Sequence, residues 1–168
     1  ASGSEDVAIA LSIASSVTDT DGSETITSVV VAGVPTGATL SAGTNNGDGT
    51  WTLSAAQLIG LTITPPADDS DDFTLTVTAT TMDTDADTGA TTTATTTDTI
   101  AVTVVAVADA PTLDLSAASG DEDTAIALSI APSVSDTDGT EAITSVVVAG
   151  VPSGATLSAG TDNGDGTW

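Results

Sequence analysis

The sequence of 168 residues contains no lysine, arginine, histidine, cysteine or tyrosine, and only one methionine, one phenylalanine and two tryptophans. The lack of histidine and cysteine excludes Ser-His-Asp and Cys-His nucleophiles as well as ordinary zinc sites. The lack of lysine excludes Schiff-base chemistry and a Walker-type phosphate site. Because the chain has no cationic side chain, nucleic-acid binding and membrane attachment through basic patches are excluded too.

Acidic and β-branched residues dominate what is present. The 24 Asp and Glu residues give a formal net charge of −24, yet 39% of the residues are hydrophobic. Disordered acidic chains combine high charge with low hydrophobicity, so this composition favours a folded chain. Threonine occurs 34 times, and together with Val and Ile it favours strands over helices.

An internal repeat organises the chain. Residues 1–51 align with residues 118–168 at an offset of 117, and only eight of the 51 aligned positions differ. A unit of this length is too long for a solenoid repeat and has the size of a β-sandwich domain. We therefore expect a nearly complete repeat over residues 1–109, with part of its first strand missing, and the N-terminal part of the next repeat over residues 110–168. We expect a window from a longer array; the alternative is that a neighbouring chain supplies the strands that the second repeat lacks.

Alternation of apolar and polar residues predicts the strands. Residues 73–80 alternate strictly, residues 100–104 and 126–130 follow the same pattern, and residues 26–31 form a more continuously apolar segment. Short strands at this spacing predict an all-β fold made of tandem Ig-like or cadherin-like Greek-key β-sandwich repeats.

Turn residues predict the connections between these strands. The sequence NGDG at 46–49 predicts a hairpin that joins residues 39–41 to residues 51–53. Residues 54–60 form the one helix-like stretch and predict a single turn. The threonine-rich residues 88–99 predict a strand at a sheet edge with an exposed threonine face, and the alternative is an O-glycosylated stalk.

Most acidic residues cluster in the predicted loops. Without basic partners, carboxylates closer than the Debye length of about 8 Å must repel, protonate or bind cations. Oxygen ligands on flexible loops favour Ca²⁺, which takes 6–8 oxygens. The predicted metal ligands are Glu5, Asp6, Asp19, Asp21, Glu24, Asp83, Asp85, Asp87, Asp109, Glu122, Asp123, Asp136, Asp138 and Glu141. A further acidic run at 68–72 has no turn glycine, and we expect it to be solvated.

Two of these loops have ligand-like spacing. The sequence DTDGTE at 136–141 places alternate carboxylates on one side of a loop with a glycine for the tight turn, which predicts calcium binding. The alternative there is an Asx-turn with solvated carboxylates. Asp83, Asp85 and Asp87 resemble the start of an EF-hand loop, but the glycine and the bidentate glutamate are not at the required positions. We expect either a bound cation or a mobile acidic hairpin tip.

Two catalytic interpretations fail on spacing and composition. Asp87-Thr88-Gly89 matches the Asp-Thr-Gly of aspartic proteases, but those enzymes need two such motifs, each after an apolar strand. Paired carboxylates hydrolyse glycosides, but three aromatic residues offer little surface on which to stack a sugar ring. We predict that the chain is not an enzyme.

An ordered set of segments carries a family resemblance. The set comprises LTITPP at 61–66, VADAP at 107–111, EDTAI at 122–126, DTDG at 136–139, VPSGATL at 151–157 and GDGTW at 164–168. Together they resemble the tandem cadherin-like or Ig-like extender repeats of giant bacterial RTX adhesins, which are calcium-dependent, biofilm-associated surface proteins.

The resemblance implies a non-enzymatic, extracellular spacer on the bacterial cell surface that projects a binding tip for adhesion. Its partners would be the neighbouring repeats of the same chain, and calcium at the junctions would stiffen the string. The resemblance places Asp109, Glu122, Asp123, Asp136 and Asp138 at one junction, with Asp83, Asp85 or Asp87 approaching from the preceding domain. The equivalent ligands at the other junction are Glu5, Asp6, Asp19 and Asp21.

Two other functions remain open at this stage. The chain can be a subunit of a self-assembling extracellular fibre or filament, in which a neighbouring chain's strands complete residues 110–168 by donor-strand complementation. It can also be a carbohydrate- or protein-binding module, for which Trp51 and Trp168 are the only aromatic platform candidates. Their position beside a glycine turn favours core anchors instead.

Overall fold

The computed structural model describes residues 1–19, 21–136 and 138–168. Thr20 and Thr137, one in each DTDG segment, lie outside the described residues. The chain separates into two compact units: the first comprises Ala1–Ala108 with Asp136–Thr140, and the second comprises Asp109–Ser135 with Glu141–Trp168. Among the described residues, no helix has the length and apolar character needed to span a bilayer.

Strands make up nearly all of the regular structure, so the predicted all-β class is confirmed. The strands are β1 (Ser2–Ser4), β2 (Ile9–Ala10), β3 (Glu24–Ala32), β4 (Thr39–Leu40), β5 (Thr44–Asn45), β6 (Thr50–Leu53), β7 (Thr62–Thr64), β8 (Phe73–Thr84), β9 (Thr91–Val105), β10 (Thr112–Leu115) and β11 (Ile130–Ser133). A single 3₁₀ turn, Ala55–Leu58, lies where the sequence predicts one helical turn.

The first unit contains two sheets. The larger sheet has the order β1-β9-β8-β3-β6-β5, and the smaller has the order β2-β7-β4. All neighbouring strands pair antiparallel except β1, which runs parallel to β9. In this unit the alternating residues 73–80 lie in β8 and the alternating residues 100–104 lie at the end of β9, because period-2 patterning matches one buried and one open face.

Side chains of both sheets form one core between them. Val29, Val31, Leu75 and Val102 of the large sheet are almost fully buried, and so is Ile63 of the small sheet. Leu53 and Leu61 complete the same cluster, while Trp51 and Phe73 pack against it. The unit is therefore a two-layer all-β sandwich whose core is almost entirely aliphatic.

Two local predictions differ from the structure. The NGDG turn joins β5 to β6, whereas residues 39–40 form β4 and pair with β7 in the other sheet. The three residues between Leu40 and Thr44 carry the chain from one sheet to the other, which alternation alone does not reveal. In the second unit, only Ile130 of the predicted 126–130 strand lies in a strand, β11.

The second unit has little regular structure. Strands β10 and β11 pair antiparallel, and an isolated bridge joins Ala149 to Thr167. This bridge repeats the pairing of Ala32 with Thr50 in the first copy. Large apolar side chains of this unit are exposed, Leu128 and Val146 among them, although their counterparts Leu11 and Val29 are buried in the first unit.

Candidate metal centre

Three carboxylates of the first unit form a compact oxygen cluster. Glu5, Asp136 and Asp138 each offer one carboxylate oxygen, and these oxygens lie within 4.8 Å of one another. Only 2% of Glu5 and 8% of Asp136 is exposed, which is rare for unpaired acids. We call this set the Glu5 cluster.

Backbone contacts fix Glu5 directly after β1. Its amide donates to the carbonyl of Val105 at 3.1 Å, which extends the parallel pairing of β1 with β9 by one residue. Its Oε1 accepts a hydrogen bond from the amide of Val107 at 2.5 Å. Its Oε2 is buried and has no hydrogen-bond partner among the described residues. A buried carboxylate oxygen without a partner is energetically costly, and a bound cation would relieve that cost.

Hydrogen bonds from within the loop stabilise the segment that contributes Asp136 and Asp138 to the cluster. Asp136 Oδ1 accepts from the amide of Asp138 at 3.0 Å, and Oδ2 accepts from the hydroxyl of Thr140 at 2.9 Å. Asp138 Oδ1 accepts from the amide of Thr140 at 2.8 Å. Gly139, at φ +86°, makes the left-handed turn between them. The loop is thus an Asx-type turn, in which Asp136 is buried and Asp138 is half-buried.

Ser70 attaches this loop to the rest of the first unit. Its amide and its hydroxyl donate to Asp138 Oδ2 at 2.9 and 2.8 Å. The amide of Ser70, followed by the donors of Thr140, holds the pKa of the Asp138 carboxyl well below its usual range. Asp138 therefore stays ionised at any physiological pH.

The electrostatics of the cluster favour a bound cation. The sequence contains no basic side chain that could neutralise three neighbouring carboxylates. All the side-chain donor atoms are oxygens, which hard divalent cations such as Ca²⁺, Mg²⁺ and Mn²⁺ prefer. The Glu5 cluster can therefore hold a metal ion.

The first copy's own acidic loop has a different environment. Asp19 and Asp21 are exposed; Asp19 accepts from the amide of Asp21 at 3.2 Å, and Asp21 accepts from the amide of Ser23 at 2.8 Å. The hydroxyl and amide of Ser23 lower the pKa of Asp21. The structure thus groups Glu5 with Asp136 and Asp138, whereas the resemblance grouped it with Asp19 and Asp21.

Glu24 and Asp83 lie in strands, although the sequence places them in loops. They face each other in the register of β3 and β8, and Asp83 Oδ1 is buried without a hydrogen-bond partner among the described residues. Asp85 lies in the β8–β9 turn, where it accepts from the amides of Asp87 and Thr88 at 2.9 and 2.8 Å. Asp85 and Asp87 are exposed, as expected for a hairpin tip.

The remaining predicted ligands are distributed over both units. Glu122 and Asp123 are exposed in the second unit, and Asp6 is exposed in the first. Within the second unit, Glu141 Oε1 accepts from the amide of Asp109 at 2.5 Å. Glu141 Oε2 is buried and unpartnered among the described residues.

The acidic run at 68–72 has a structural role that the sequence did not predict. Besides Ser70, Asp72 accepts from the amide of Val104 at 2.9 Å and so caps the end of β9. Nothing in the sequence marks Ser70, because a serine among aspartates is typical of any solvated loop.

A scan against protein-family models, a search of curated proteins and a search of solved structures each found no match to this chain.

Proposed function

We propose that this chain is a non-enzymatic spacer built from tandem β-sandwich repeats of a secreted bacterial surface adhesin, and that Ca²⁺ stiffens it. The observation that carries the proposal is the Glu5 cluster, in which a buried glutamate with an orphan oxygen meets two aspartates and no base. The ordered resemblance to RTX adhesin repeats supports the extracellular setting and the role in adhesion and biofilm formation.

Calcium fits the cluster better than magnesium. Ca²⁺ accepts six to eight oxygens in irregular geometry. Besides the three carboxylates, the hydroxyls of Ser70 and Thr140 lie within hydrogen-bond distance of the cluster. Mg²⁺ demands near-ideal octahedral geometry and keeps several of its waters, which suits an exposed site more than a buried glutamate. Extracellular calcium modules bind at about 10⁻⁴–10⁻³ M, which keeps such a chain unloaded inside a cell.

An ion in this cluster would tie the two sequence copies together. Glu5 belongs to the first copy, and Asp136 and Asp138 belong to the second. Without the ion, repulsion between the carboxylates favours release of the loop; with the ion, its binding free energy adds to that of the folded arrangement. Repeated along an array, this link would convert a flexible string into a stiff one.

Thermal unfolding with and without calcium tests the proposal. With about 10 mM Ca²⁺ and a dissociation constant of about 10⁻⁴ M, binding stabilises the folded state by about 2.7 kcal/mol. For a domain of this size we expect the melting temperature to rise by roughly 10 °C or more over a chelated sample. Magnesium at equal ionic strength controls for charge screening, and small-angle scattering should show a greater maximum dimension with calcium.

Matched variants assign the effect to the cluster. Glu5→Gln should remove most of the calcium-dependent shift, whereas Glu122→Gln, at the equivalent exposed position of the second copy, should leave it intact. In a second pair, Asp136→Asn should likewise remove most of the shift, whereas Asp19→Asn, at the equivalent exposed position of the first copy, should leave it intact. A melting temperature that is indifferent to calcium, or an equal loss in Glu5→Gln and Glu122→Gln, would contradict the proposal.

A further inference from the structure

One serine that is not among the predicted ligands holds an aspartate of the Glu5 cluster. The amide and the hydroxyl of Ser70 both donate to Asp138 Oδ2, at 2.9 and 2.8 Å. The other oxygen, Asp138 Oδ1, accepts from the amide of Thr140 at 2.8 Å. Because both oxygens accept hydrogen bonds, the carboxylate cannot turn without breaking at least one of them. The donors on its two sides therefore fix the orientation of the Asp138 carboxylate.

The segment that contains Ser70 is itself attached to the core. Asp69 Oδ1 accepts from the amide of Asp71 at 2.9 Å, which closes an Asx-turn around Ser70. Asp72 Oδ1 accepts from the amide of Val104 at 2.9 Å, and Val104 is a buried residue of β9. Ser70 thus lies two residues from an anchor on the larger sheet, which gives its two donors a defined place.

The same segment also contacts the residue that follows Glu5. The amide of Asp68 donates to Asp6 Oδ1 at 3.1 Å. Asp6 and Asp68 both have positive φ, at 58° and 52°, a conformation that aspartate tolerates better than most residues. Residues 68–72 therefore make contacts on two sides of the cluster, next to Glu5 and at Asp138. Such outer contacts are what orient the ligands of a metal site.

Orientation of a ligand before binding raises the affinity for an ion. An ion that must first immobilise a free side chain loses part of its binding free energy to the ordering of that side chain, whereas an oriented ligand has already been ordered by folding. Loss of an outer hydrogen-bond partner of a metal ligand commonly lowers metal affinity by about 10–100-fold. Ser70 makes such contacts with Asp138 from a position 68 residues away in the sequence.

We propose that Ser70 is a positioning residue of the Glu5 cluster, and that its hydroxyl orients Asp138 as a ligand for a divalent cation. This inference rests on the calcium site of the proposed function, and it adds a residue that does not itself bind the ion. If Ser70 only helped to hold the fold together, its loss would lower the melting temperature equally with and without calcium. A positioning role instead lowers the calcium-dependent part of the shift.

Calorimetric titration of the full chain with calcium tests the proposal. Ser70→Ala removes the hydroxyl donor and keeps the amide, so we expect the calcium affinity to fall roughly tenfold. Ser70→Thr keeps a hydroxyl and should bind calcium as the wild type does. Ser23→Ala is the matched control, because Ser23 donates to Asp21 in an exposed loop, and it should leave the affinity unchanged. In a Glu5→Gln background, Ser70→Ala should have no further effect on calcium binding.

Amide hydrogen exchange of the calcium-free chain gives a second measurement that needs no ion. In Ser70→Ala, the amide of Thr140 should exchange faster, because the Asp138 carboxylate that accepts from it is less restrained. The amide of Val104, which donates to Asp72, should exchange as in the wild type. Faster exchange at Thr140 together with an unchanged calcium affinity would assign Ser70 a structural role and overturn the proposal.

The titrations also separate the positioning role from the calcium site itself. Calcium binding of equal affinity in the wild type and in Ser70→Ala would overturn the role of Ser70 and leave the proposed function standing. An equal loss of affinity in Ser70→Ala and Ser70→Thr would overturn the hydroxyl as the orienting group. Absence of calcium binding to the wild type would overturn the proposed function, and the positioning role with it.

Discussion

The same isoleucine occurs in both sequence copies with opposite burial, which allows a matched test of the fold. Ile9 is 2% exposed and Ile126 is 45% exposed. Their local surroundings agree: a Cβ added to Gly3 would lie 2.7 Å from Ile9 Cγ1, and one added to Gly120 would lie 2.8 Å from Ile126 Cγ1. The difference in burial therefore comes from residues distant in the sequence, such as Ile63 of β7, which lies directly opposite Ile9.

This difference sets the expected magnitudes. Truncation of a fully buried isoleucine to alanine removes its transfer free energy and leaves a cavity, which costs about 2–5 kcal/mol. Ile126 is half in water and encloses no comparable space, so Ile126→Ala should cost at most about 1 kcal/mol. We therefore expect Ile9→Ala to lose about 3 kcal/mol and Ile126→Ala to be nearly neutral.

Urea unfolding monitored by tryptophan fluorescence measures both variants. A Trp168→Phe background leaves Trp51, which packs against the core of the first unit, as the only indole. With a denaturant slope of about 1.5 kcal/mol/M, Ile9→Ala should lower the midpoint by about 2 M. Equal midpoints for Ile9→Ala and Ile126→Ala would refute the reasoning, because burial would then not distinguish the two copies.

Two further predictions concern a turn glycine and a turn carboxylate. Gly43 and Gly47 both have positive φ, but a Cβ at Gly43 would lie 2.8 Å from Leu53 Cγ, whereas one at Gly47 meets open space. Gly47→Ala should therefore lower the free energy of unfolding by about 1–2 kcal/mol, and Gly43→Ala should lower it clearly more. Thermal unfolding of the two variants measures the difference. The hydroxyl and then the amide of Thr50 lower the pKa of Asp48 below its ordinary value of 3.8, so its contribution to stability is fully present above that value and is lost as the pH falls through the lower folded-state pKa. The stability difference between wild type and Asp48→Ala should accordingly vanish in acid, and an NMR titration of Asp48 at or above the ordinary value would contradict this.

Local sequence pattern was sufficient for the fold class and for most strands of the first unit. Alternation in residues 73–80 is visible in the local sequence alone, and this segment lies in β8. Alternation is equally clear in residues 126–130, yet Ile130 alone is in a strand. A strand needs a partner as well as a pattern, and partners are contributed by distant parts of the chain. The sheet change between β4 and β5 is hidden for the same reason.

The candidate metal centre was predictable in its chemistry and only partly in its membership. Clustered acids without bases indicate cation binding, and Glu5, Asp136 and Asp138 are all among the predicted ligands. Their association across more than 130 residues depends on the fold, and sequence spacing does not encode it. The contribution of Ser70 depends on the same long-range contact.

The carboxylates that give this chain its net charge of −24 are of two kinds, solvated and buried. In many of its aspartates, a carboxylate oxygen accepts a hydrogen bond from a nearby backbone amide or hydroxyl. Thr50 donates to Asp48 in this way, and Thr167 donates to Asp165. Such turns keep carboxylates ionised and solvated without any metal. Among the described residues, buried orphan carboxylate oxygens occur only at Glu5, Asp83 and Glu141. Since a cation relieves a buried orphan oxygen far more than a solvated one, tight calcium binding should be confined to these few positions while most of the charge serves solubility.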